Sequence, residues 1–83
     1  MYNMSIDKYI RRNLYKVLRK TGVPRDRIAE DASFENDMMM DETDMICFLF
    51  YLETRFNLNI ENEALPQMLS VRSTLNYLLQ RCA

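Results

Sequence analysis

Apolar residues along the chain fall into three periodic blocks separated by irregular stretches. Ile6, Tyr9, Ile10, Leu14, Val17 and Leu18 recur at spacings of three and four, which predicts a helix over about residues 5–20 with one stripe facing a core. Lys8, Arg11, Arg12, Lys16, Arg19 and Lys20 lie off that stripe. Ser5 or Asp7 is the expected cap, and Thr21-Gly22 the expected end. The second block is the most apolar and predicts a helix over about residues 42–56. Asp41 suits its N-cap, because a carboxylate can accept from the free N–H groups of the first turn. Glu42 and Asp44 place negative charge where the helix dipole favours it. One face carries Met45, Phe48, Leu49, Leu52 and Phe56. The opposite face carries Thr43, Ile46, Cys47, Phe50 and Thr54, so the helix is apolar on more than the side a core needs. Val71, Leu75, Leu78 and Leu79 give a last helix over about residues 71–81, with Ser70 as its cap.

The connections are less regular. Val23-Pro24 opens a stretch to about residue 40, long for a compact domain. Val23, Ile28, Ala32 and Phe34 suggest that it is pinned by single buried side chains, with one helical turn near residues 26–29. After Asn57-Leu58-Asn59, Ile60 is an expected anchor, and Glu61 to Leu65 a short helix ended by Pro66. No repeat, low-complexity tract or internal boundary breaks the chain. Residues 1–83 are therefore expected to form a single all-α domain, a bundle of about four helices: three longer, one short.

Composition narrows the chemistry. At 83 residues the core is thin, and one Gly and two Pro leave little material for hairpins. The absence of His removes the commonest general base and metal ligand. Cys47 and Cys82 have no metal or redox spacing; reduced thiols are expected, and a disulfide between them stays open. No stretch has the length of a signal peptide or membrane span, so a cytoplasmic protein is expected.

Charge is uneven: residues 1–30 hold eight Lys and Arg against three acids, and residues 31–83 hold nine acids against three Arg. A basic helix lying beside an acidic one explains this better than nucleic-acid binding, because no aromatics interleave with the basic residues as a stacking platform requires. Nucleic acid stays as an alternative from another class.

No nucleophile stands beside a base and no Gly-rich loop is present, so no enzyme activity is expected. Asp37, Asp41, Glu42 and Asp44 lack the spacing and turn glycine of an EF-hand; a capped, solvated helix start is preferred to a metal site. Met38-Met39-Met40 reads equally as an adaptable contact lip, or as a core Met38 followed by two partly exposed neighbours.

Gly22-Val23, Ile28, Asp31-Ala32-Ser33-Phe34 and Asp37-Met38, then Leu52-Glu53, Phe56 and Ile60, and finally Ser70-Val71 occur in this order with no gap. The series resembles acyl carrier proteins over nearly the whole chain. The resemblance implies their helical bundle, with its long first loop. It also implies a D-S-L-D motif at the start of the second helix, whose serine carries a 4′-phosphopantetheine arm. Here those positions read Asp41-Glu42-Thr43-Asp44, with Glu42 at the serine. No cofactor is therefore expected, and the arm belongs only to an alternative in which it sits elsewhere or Glu42 is an altered residue.

The family's docking face implies a protein-contact surface here. Asp41, Glu42, Thr43, Asp44, Ile46, Cys47, Phe50 and Glu53 are its expected residues. A synthase or transferase of fatty-acid, polyketide or peptide synthesis is the expected partner. A weak homodimer is a further expectation; nucleic acid and membrane are not expected partners.

Overall fold

The computed structural model describes residues 4–82. Three α-helices carry the fold: α1 (Met4–Thr21), α2 (Glu42–Phe56) and α3 (Val71–Cys82). Short 3-10 helices, Arg25–Arg27 and Asn62–Gln67, lie in the two connections. This is the all-helical bundle expected from the periodicity. α1 packs against both α2 and α3, and the core between them holds Ile10, Leu14, Leu18, Phe48, Leu52 and Leu78.

Helix ends follow local chemistry. Gly22 takes φ 110°, so α1 closes with Gly22 N–H donating to the Arg19 carbonyl and Val23 N–H to that of Leu18, both at 3.1 Å. α2 starts with a reciprocal capping box: Asp44 N–H donates to Asp41 Oδ1 at 2.8 Å, and Asp41 N–H to Asp44 Oδ2 at 3.1 Å. Its end is the left-handed Asn57. Ser70 Oγ accepts from Ser73 N–H at 3.2 Å at the entry to α3.

The long first loop is pinned. Val23, Ala32 and Phe34 are buried, and the Phe34 ring meets Phe48 of α2 at 4.8 Å between centroids. The backbone adds what periodicity does not show. Phe34 N–H donates to the Leu69 carbonyl, Val71 N–H to that of Ala32, and Arg72 N–H to that of Glu30. The loop therefore forms a short antiparallel contact with the start of α3, bridging Ser33 and Ser70.

Five expectations change. Asp7 lies inside α1 rather than capping it, and accepts from Arg11 Nε one turn on at 2.9 Å; the Ser5 side chain lies outside the described residues. Tyr9 is 55% exposed rather than core, because it sits at the stripe's edge with its ring edge-on to Phe56. Met40 is buried: Met39 turns the chain through φ 58°, which sends Met38 and Met40 inward and leaves Met39 exposed. Pro66 lies within the Asn62–Gln67 helix rather than ending it, since the looser 3-10 ladder tolerates its missing N–H. The turn expected at residues 26–29 is the Arg25–Arg27 helix, one residue earlier.

Candidate functional site

The candidate site is the start of α2 and the outer face that follows it. Asp41, the N-cap, and Glu42, the first helical residue, are both exposed. The capping box engages the carboxylates of Asp41 and Asp44 with backbone N–H groups. Among the described residues no side-chain hydrogen bond holds Glu42. Its side chain helps line a cavity of about 510 Å³ whose apolar wall is Phe34, Met40, Met45, Met68 and Leu69. Sequence reasoning missed this cavity, because three separate segments meet to form it.

Thr43 is exposed, one residue on and so roughly 100° around the helix from Glu42. Ser33, in the loop, is tied up locally: its Oγ accepts from Asn36 N–H at 3.1 Å and Asp37 N–H at 3.2 Å, while its own N–H donates to Asp37 Oδ2 at 2.7 Å. Asp37 thus serves the loop's turn. Among the described residues no three His, Cys, Asp or Glu side chains converge as metal ligands.

Thr43, Ile46, Cys47 and Phe50 form one exposed surface, with Ile46 at 61% and Phe50 at 62% exposure. These are large values for such side chains, and they fall at helical spacing on one face. Glu53, placed on the rim of this surface by the sequence, is half-buried and accepts from Ile60 N–H at 2.8 Å, which ties it to the following loop. Cys47 is a free, exposed thiol; Cys82's thiol lies outside the described residues. Among the described residues no helix is long and apolar enough to cross a membrane.

No family model matches the chain. Individual proteins do. An acyl carrier protein of Chloroherpeton thalassium is 24% identical over 79 residues, covering 94% of this chain and 98% of its own. One of Guillardia theta is 25% identical, covering 81% of this chain and 83% of its own. One of Cyanidioschyzon merolae is 31% identical over 64 residues, covering 77% of this chain and 70% of its own. The chain belongs to the acyl carrier protein family. Members of that family are non-enzymatic carriers, and this one shares their helical architecture across most of its length. Acyl carrier proteins normally hold a 4′-phosphopantetheine arm and work through protein partners.

Proposed function

We propose that this chain is an acyl-carrier-type module that acts by protein contact and takes no phosphopantetheine arm at the family's attachment position. The observation that carries this reading is the carboxylate of Glu42 at the head of α2, beside the apolar cavity. The arm is joined through a phosphodiester to a hydroxyl. A carboxylate offers no such oxygen and brings negative charge to an incoming phosphate, so the residue at this position does not fit the group. Thr43 carries the neighbouring hydroxyl but projects in another direction. Ser33 Oγ is committed to its own turn. The exposed Ile46, Cys47 and Phe50 surface, headed by Asp41, Glu42 and Thr43, supplies the contact face. The partner expected there is a synthase or acyl transferase.

The test is intact mass after incubation with coenzyme A and a phosphopantetheinyl transferase of broad specificity. The native chain is expected to keep its mass, and Glu42→Ser to gain one arm. A gain of one arm on the native chain, mapped to any residue, overturns the reading and makes the protein a working carrier.

A further inference from the structure

A second cavity lies between α1 and α2, lined by Lys16, Val17, Lys20, Tyr51, Thr54 and Arg55, with a volume of about 140 Å³. Three cations line it and no carboxylate does. The ion pairs among the described residues involve Arg11 and Arg72, and none involves Lys16, Lys20 or Arg55.

Arg55 is held in place. Its Nε donates to Oδ1 of the buried Asn13 at 2.5 Å, and Asn13 Nδ2 donates in turn to the Tyr9 carbonyl at 2.7 Å. That leaves the two terminal nitrogens of the guanidinium as a fork with no hydrogen-bond partner among the described residues, the arrangement that binds two oxygens of one oxyanion. Lys20 Nζ lies 4.9 Å from the centre of the Tyr51 ring, which steadies it at the rim. Helix dipoles account for Lys20 and Arg55, each in the last turn of its helix. They do not account for Lys16, more than one turn before the end of α1, or for all three cations meeting at one cavity.

We propose that this cavity binds the phosphate group of a small phosphate ester. The anchored Arg55 fork takes two phosphoryl oxygens, and Lys16 and Lys20 close over the others. The volume lies below the roughly 300 Å³ at which sites for whole drug-sized ligands begin, so it accommodates a phosphate or diphosphate while the rest of the ligand stays outside. The site lies on a different cavity from the one beside Glu42 and does not depend on the proposed loss of the attachment residue.

Titration of the isotope-labelled full chain with inorganic pyrophosphate, followed by two-dimensional NMR at constant ionic strength, tests this. Saturable shifts are expected at residues 16, 17, 20, 51, 54 and 55. Lys16→Gln with Lys20→Gln is expected to weaken binding roughly tenfold, as loss of charge-assisted contacts should. Lys8→Gln with Arg12→Gln removes the same charge from exposed positions on α1 outside the cavity and is expected to leave binding nearly unchanged. Both pairs are exposed, so folding is kept. Shifts that grow linearly without saturation, that spread along α1, or that weaken equally in both double variants overturn the proposal, because each reports diffuse attraction to a basic helix.

Discussion

Arg55, in the last turn of α2, donates from Nε to Oδ1 of Asn13, 42 positions earlier in the middle of α1. Asn13 is one of the few buried polar side chains, and both ends of its amide are bonded. The pair fixes α2 against α1 with a polar contact in an interface otherwise made of aliphatic and aromatic packing. Asn13→Ala removes both side-chain bonds and leaves Arg55 Nε without its partner, while the Tyr9 carbonyl keeps only its helical bond. The expected loss is about 1–3 kcal/mol, read from urea unfolding. Asn13→Asp keeps the acceptor for Arg55 but sets a carboxylate oxygen against the Tyr9 carbonyl, so it too should lower stability.

Thr74 presents the opposite case. It is fully buried in α3, and its Oγ1 has no hydrogen-bond partner among the described residues. Its backbone N–H is already satisfied by the Ser70 carbonyl. Thr74→Val replaces the hydroxyl with a methyl of similar shape and removes a desolvated polar atom from the core. The chain is expected to gain about 1 kcal/mol, seen as a raised urea midpoint with an unchanged slope. A loss of stability would mean that the hydroxyl has a role in the core.

These two residues also mark what the sequence could and could not convey. The limits of α2 were legible because an acidic cap at Asp41 abuts an apolar block that stops at Phe56. The buried loop anchors Val23, Ala32 and Phe34 were legible because isolated apolar residues in a polar loop have few other uses. Asn13 and Thr74 were not, since a polar residue on a helix is normally solvated and only the neighbouring elements bury it. Met40 depended on the reversal at Met39, and a methionine at positive φ has no local signature. At the candidate site, the outward placing of Ile46 and Phe50 followed from helical phase, whereas Glu42 stood out only through the resemblance to the D-S-L-D motif of acyl carrier proteins. The adjoining cavity did not, because Phe34, Met45 and Met68 come together only through the pairing of the first loop with the start of α3.

That pairing is held at its edge by Glu30, which accepts from Arg11 of α1 and from Arg72 of α3, the latter at 3.2 Å. The hydrogen bond from Arg11, aided by its positive charge, lowers the Glu30 carboxyl below its ordinary value of 4.5. The same bond, with a smaller contribution from Asp7, raises Arg11. A depressed carboxyl stabilises the fold fully above its unfolded value, and that contribution is lost as pH falls through the lower folded value. The raised Arg11 contributes throughout the range below its unfolded value, which lies far above neutrality, so it adds no slope there. Glu30→Gln is therefore expected to lower the urea midpoint slightly at pH 7. The gap from the native chain should close as pH drops below about 4.5. The effect should be small and weakened by salt, since all three side chains are partly exposed. A gap that stays constant down to strongly acid pH would show that Glu30 acts through packing rather than charge.

The outer face of α2 gives the most direct reading of the proposed contact role. Phe50 is largely exposed, and its nearest ring is Tyr51 at 6.0 Å, so it adds little to the fold. Phe50→Glu should therefore change stability by less than about 0.5 kcal/mol, as for other surface positions. It places a charge at the centre of the Ile46, Cys47 and Phe50 surface, where a docked partner would have to desolvate it. Capture of a synthase or transferase partner, or self-association measured by sedimentation, is expected to fall at least tenfold while circular dichroism and the urea midpoint stay put. Lys8→Glu, an exposed change on α1, should leave capture intact. If the Phe50 variant folds normally and binds and associates as the native chain does, this face is not the docking surface, and the exposure of Ile46 and Phe50 is ordinary surface apolarity.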